Sequence, residues 1–353
     1  MKALLSKYRK PLMGLAAIFI LVYHTYAKFL MCIPFLGETE AFISRILFYG
    51  VDIFLLLSGL GMAYSLSMHS VAGFYINRAK RIFLPVAIIC IVMALVDSWP
   101  FEIFLYRVSG RFVFENMYSF LWFYPAIILY YFLAPFLYAI IKRFKNKYLF
   151  AGLFFIAYVI AANVLNIQTG GQFEMWSGIF NRLPIFVLGI CIGCDDNDSI
   201  VAFDVKKTIA VVAVLVAGGA MAWYTSVMEK KLLVPGSNSF LPNICLSIAT
   251  CLLVCALLEK LEANDRTKVK ERITKVLGFF GMISFELYLV QEWICKKLLT
   301  VYEPVGRHKS VIFDVMCWTI VTLAALLLHY VVEKNFSIFT AIKKGVREHI
   351  NEK

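Results

Sequence analysis

The chain has 353 residues, of which 61% are hydrophobic and only 16% charged, with a formal net charge of +12 and a mean hydropathy of +0.77. Soluble domains carry about 25% charged and about 45–50% apolar residues, so this composition excludes a soluble enzyme, and a basic nucleic-acid-binding surface does not account for the charge. Nine cysteines fall almost wholly within apolar runs, with neither a disulfide framework nor a second pair to make a metal site.

Apolar runs of about twenty residues recur along the whole length, each long enough for a helix to cross a bilayer. Backbone polar groups in lipid must be satisfied within their own segment, so the expected fold is all-α, a polytopic transmembrane helical bundle. Ten spans are expected, at 11–33, 42–66, 82–99, 117–140, 148–166, 179–194, 208–226, 240–258, 276–298 and 311–332. The first follows a basic stub, "KYRKP", and lacks the small-residue cleavage site of a signal peptide. With a cytoplasmic N-terminus, the segments on that side hold 24 of the 35 lysines and arginines, which is the bias the positive-inside rule describes. Both termini are then expected in the cytoplasm. The transmembrane domain is expected to cover 1–335, with a short basic cytoplasmic tail at 336–353.

Polar residues at depth are the informative ones, because hydrocarbon makes them costly. His24 closes "GLAAIFILVYHT" about twelve residues into the first span, or about 18 Å along a helix. An unperturbed imidazole titrates near neutrality, which suits either a base or a structural hydrogen bond. Asp52, in "FYGVDIFLLLSGLG", lies near the outer end of the second span at a similar depth. There it could orient that imidazole, contact a substrate, or simply end a helix at the interface. Ser58, Gly59 and Gly61 read as residues that let helices approach closely.

Arg78 and Arg81, in "FYINRAKRIFLP", stand three apart and share a helix face. They suit either a positive-inside anchor or two guanidinium forks on one phosphorylated ligand. Trp122 lies among interfacial aromatics in "FLWFYPAIILYYFLAP". Arg182, in "FNRLPIFVLGICIG", sits at the outer end of the sixth span, where snorkelling alone would account for it. The following "CIGC" reads as small apolar packing. "ISFELYLVQEW" buries Glu286 and Gln291 in the ninth span, and His329 in the tenth reads as structural.

Taken in order, these stretches resemble the acyltransferase-3 family of bacterial integral-membrane O-acyltransferases. The resemblance covers nearly the whole chain. It rests on the first span ending in His24, then "GVDIFLLLSG", the Arg-x-x-Arg of "NRAKR" before "IFLP", "LWFYP" with "YYFLAP", "RLPIFVLGICIG" and "ISFELYL". It implies an enzyme of the bacterial cytoplasmic membrane that takes an acyl group, usually acetyl, from cytoplasmic acyl-CoA. The group would go to a hydroxyl of an extracytoplasmic sugar, polysaccharide or glycolipid, with acetyl-CoA or another acyl-CoA as substrate and no resident cofactor or metal. Carried onto this chain, His24 is the catalytic base and Arg78 and Arg81 hold the CoA phosphates, while Asp52, Trp122, Arg182 and Glu286 line the acceptor side. Proteins of a polysaccharide-assembly system are the partners this implies.

The chain also departs from the family pattern. An arginine commonly stands eleven residues before the histidine, and here that position is Met13. Lys10, fourteen positions before His24, lies within about 40° of the same helix face and is expected, with Arg9, to supply a charge toward acyl-CoA. Gln291 stands where relatives often have histidine, and Ile127 near where some have glutamate. Two other readings therefore stay open: a transporter or permease of a small polar metabolite, and a non-catalytic subunit of a polysaccharide-assembly system.

Overall fold

The computed structural model describes residues 1–25, 29–30, 33–115, 121–196, 204–302 and 307–351, without the side chains of 34, 114, 307–309 and 336–351. A short basic helix, α1 (Lys2–Lys7), leads into α2 (Arg9–Thr25). Helix α3 (Pro34–Ile46) continues through one 3-10 turn into α4 (Gly50–Met68). Ser70 then caps α5 (Val71–Val96) by accepting from the Gly73 N–H, a typical N-cap bond. Two short helices, α6 (Phe101–Val108) and α7 (Phe112–Glu115), precede α8 (Phe123–Arg143) and α9 (Lys147–Gln168). The chain goes on through α10 (Phe173–Phe180), α11 (Leu183–Gly193), α12 (Val205–Met228) and α13 (Phe240–Ala263). It finishes with α14 (Thr267–Met282), α15 (Ser284–Val301) and α16 (Arg307–Asn351). Among the described residues there is no strand.

Eight helical runs among the described residues are long and apolar enough to cross a membrane, or nine if α14 and α15 count as one broken span. The sequence predicts ten. One difference lies at the first span: the described part of α2, Arg9–Thr25, has 17 residues, and its first turn is spent on Arg9 and Lys10. The other lies at 276–298, where the hydropathy reads as one straight span but the chain bends by 68° between Met282 and Ser284.

Helix α4 is apolar on every face and buried along nearly its whole length, as suits a helix at the centre of a bundle. Its backbone touches that of α11, since a Cβ at Gly59 would lie 2.2 Å from the Phe186 carbonyl oxygen and one at Gly189 2.1 Å from that of Leu56. Helix α2 crosses α14 in the same way. A Cβ at Gly14 would lie 1.8 Å from the Leu277 oxygen, and one at Gly281 2.0 Å from the Lys10 oxygen. Lipid tails leave no hydrophobic drive between helices, so such close approach and its dispersion contacts hold the bundle together. By contrast, α9 buries only Lys147 and Ala162, leaving its apolar surface on the rim.

Candidate active site

Helices α2, α4, α5, α8, α14, α15 and α16 line a cavity of about 520 Å³. At one end its wall gathers Arg9, Lys10 and Met13 of α2 with Arg78 and Arg81 of α5. The guanidinium of Arg78 lies 5.5 Å from the Phe74 ring and 5.6 Å from the Tyr131 ring. Its buried Nε has no hydrogen-bond partner among the described residues. Arg9 donates from Nε to the Leu57 carbonyl at 3.1 Å. Four cationic side chains against two acids, Glu286 and Glu333, leave this lining net positive, which favours an anion with several oxygens.

Further along α2 the walls turn apolar, with Ile20, Val51, Phe54, Phe123 and Ile127. Ile20 lies eleven residues beyond Arg9, about 16 Å along the helix. Aromatic rings gather at this end: Phe54 and Phe123 stand 6.5 Å apart, and Phe123 and Tyr288 5.2 Å.

Glu286 lies two residues beyond the start of α15, on the side that meets α16. Its Oε1 is 2.9 Å from Nδ1 of His329, and both residues line the cavity. This contact engages Nδ1 and leaves Nε2 as the ring nitrogen turned away from the carboxyl group. Among the described residues Nε2 has no hydrogen-bond partner.

A second cluster sits beside the apolar end. Asp52 is buried, and its Oδ2 accepts from Asn243 Nδ2 at 3.1 Å with Arg182 Nε 3.7 Å away. The Arg182 guanidinium lies 4.5 Å from the Phe48 ring and 4.9 Å from the Trp122 ring, and it donates to the Gly178 carbonyl. Arg182 is therefore held between two aromatic faces rather than reaching out to the interface. Asp52, Trp122 and Arg182 come together, as their shared depth suggests. Trp122 precedes the cavity-lining Phe123, so the two sites are neighbours in the chain as well as in space.

His24 stands one turn beyond Ile20 on the same face of α2 and is not among the residues lining the cavity. Its Nδ1 is 3.8 Å from Glu292 Oε2, and Lys296 holds the other oxygen of that carboxylate at 2.6 Å. The acid nearest His24 is thus Glu292, while Asp52 is engaged by Arg182 and Asn243. Glu286 and Glu292 are six residues apart, which turns them about 240° around α15 and about 9 Å along it. One acid accordingly faces α16 and the other α2. At the far end of α15, Lys297 Nζ is 2.5 Å from Asp97 Oδ1, and Trp293 Nε1 donates to Oδ2 at 3.0 Å. That ammonium group holds the Asp97 carboxyl below its ordinary range.

The structure thus brings Lys10, Arg78, Arg81 and Glu286 into one cavity, gathers Asp52, Trp122 and Arg182 beside it, and leaves His24 one turn past its apolar end. Sequence reasoning misses Glu292 and Asn243, and it does not place His329 on the cavity wall. Glu292 gives a misleading signal: Lys296 four residues later makes it look like one half of an ordinary helix-surface ion pair.

Apolar helices surrounding an internal, basic cavity define a multi-pass membrane protein with a site between its helices. Residues 12–333 match the acyltransferase-3 family, described as an acyltransferase domain, and the chain belongs to that family. No curated protein and no solved structure matches the sequence. The class of activity is therefore that of a membrane acyltransferase.

Proposed function

We propose that the chain is an acyl-CoA-dependent O-acyltransferase of the bacterial cytoplasmic membrane, with both termini in the cytoplasm. It moves an acyl group, acetyl first among them, to a hydroxyl of an extracytoplasmic sugar, polysaccharide or glycolipid. The observation that carries this reading is the cavity, cationic at one end and aromatic at the other, in a chain of an acyltransferase family. A donor with several phosphates and a long thioester arm suits both ends. Arg78 and Arg81, with Lys10 and Arg9, hold the phosphates, and the arm runs toward Phe54 and Phe123. The acyl-CoA is a substrate and not a resident cofactor.

His24 takes the proton of the acceptor hydroxyl as its oxygen attacks the thioester carbon, with Glu292 orienting the imidazole. The C–S bond then breaks and CoA leaves as its thiol. A positioned base of this kind contributes about 10²–10⁴-fold. Asp52, Trp122 and Arg182 shape the side from which the acceptor arrives, whereas Glu286 belongs with the donor. The deciding experiment incubates purified protein with radiolabelled acetyl-CoA and cell-envelope glycans, comparing wild type with His24→Ala and Arg78→Ala. Label should reach the glycan with wild type and fall steeply with either variant. Undiminished transfer by His24→Ala would remove His24 from the chemistry, and absence of any acetyl-CoA binding would favour a permease.

A further inference from the structure

We infer that Glu286 and His329 form a second catalytic centre, which gives this protein an acyl-CoA hydrolase activity that needs no sugar acceptor. The inference rests on the acyl-CoA reading of the cavity, but on neither the acceptor nor the role of His24.

His329 lies within the apolar run of α16 and Glu286 in the first turn of α15 beside the bend, settings where ionisable groups are costly and mark functional sites by default. They meet at 2.9 Å on the cavity wall, so that Nδ1 is engaged by the carboxyl group while Nε2 has no partner among the described residues. An imidazole oriented in this way by a third group is the arrangement of a general base. His24 has a looser carboxylate contact, at 3.8 Å, and is not part of the lining.

Position points to the substrate. Tyr288 follows Glu286 by two residues on α15, about 3 Å further along the helix, and lines the apolar end with Phe123 and Phe54. A thioester threaded from the arginines into that end lies beside the dyad. His24 lies beyond the lining, so a nucleophile activated by the dyad is one that shares the cavity with the donor. Water fits, and the polar groups of the wall can hold it.

The oxygen of that water attacks the thioester carbonyl carbon while Nε2 of His329 takes one of its protons. The C–S bond breaks as the intermediate collapses, and the imidazolium returns the proton to the departing sulfur. One water and one acyl-CoA give one carboxylic acid and one CoA thiol.

The test gives purified protein labelled acetyl-CoA alone, separates labelled acetate by chromatography, and measures acetyl-CoA binding by calorimetry. Acetate should appear without any glycan. His329→Ala should still bind acetyl-CoA and release acetate about a hundredfold more slowly or worse. Free imidazole should restore part of that loss, which a purely structural histidine would not allow. His24→Ala should lower the release far less than His329→Ala. Adding Glu286→Gln to His329→Ala should cost nothing further, as for residues that act as one unit. Binding without acetate release, or a wild-type rate in His329→Ala, overturns the inference and leaves the transferase reading in place. Failure of the wild type to bind acetyl-CoA overturns that reading itself, and the hydrolase with it.

Discussion

Gly61 of α4 leaves the space that the guanidinium of Arg9 occupies: a Cβ there would lie 2.6 Å from Nη2 and 2.9 Å from Cζ. The arginine tip is flexible, so a methyl group would displace it without parting the helices. Gly61→Ala should therefore weaken acyl-CoA binding several-fold with little change in thermal stability. Gly59→Ala, two residues earlier, should do the reverse, because its Cβ would press on the Phe186 carbonyl and separate α4 from α11. Calorimetric binding measured beside thermal unfolding distinguishes the two outcomes.

Arg78 lies over Phe74 and Tyr131, and its buried Nε is unpaired among the described residues. Lysine carries the charge but neither the planar fork nor the stacking surface. Arg78→Lys should accordingly lose about tenfold in acyl-CoA affinity, about 1.4 kcal/mol, and Arg78→Ala more. A titration repeated at rising salt concentration checks whether the loss is electrostatic, since screening would then narrow the gap between wild type and Arg78→Ala.

Asp52 is the carboxylate that balances Arg182 in a buried setting. Removing one member of such a pair leaves the other charge stranded, at about 3–5 kcal/mol. Asp52→Ala should lower the unfolding midpoint sharply, and Asp52→Ala with Arg182→Met should recover much of the loss. A double variant no more stable than Asp52→Ala would mean that the acid does more than neutralise the arginine.

Outside the cavity, the Lys297 ammonium depresses the carboxyl of Asp97. A carboxyl whose folded value lies below its unfolded one adds stability above the unfolded value and loses it as pH falls through the folded one. Asp97→Asn should thus be less stable than wild type at neutral pH, and the difference should close on acidification below the ordinary carboxylate range. Unfolding midpoints measured across that range check the sign.

Residue type and depth point to much of this site. Arg78 and Arg81 share a face because three residues make nearly one turn, and Asp52, Trp122 and Arg182 lie at the depth where they meet. What a single helix does not disclose is which neighbour it faces. Asp52 finds its partners at the residue that leads into α11 and on α13, and Glu286 finds His329 on α16. A histidine in an apolar run carries no mark of what opposes it, so His329 reads as structural. The break at Ile283 is equally hidden, because "GFFGMISFELYL" stays apolar through it. Only Gly281, which sits against Lys10 and Gly14, hints that something there passes close by.

The bend at Ile283 makes α15 a stave of its own, free of the direction of α14. That stave offers Glu286 to the imidazole inside the cavity and Glu292 to the one beyond it, and its far end is tied to Asp97 by Lys297. A small roll or slide of α15 moves both acids together. The two histidines therefore share a single tuning peg, and neither can be retuned without shifting the pitch of the other.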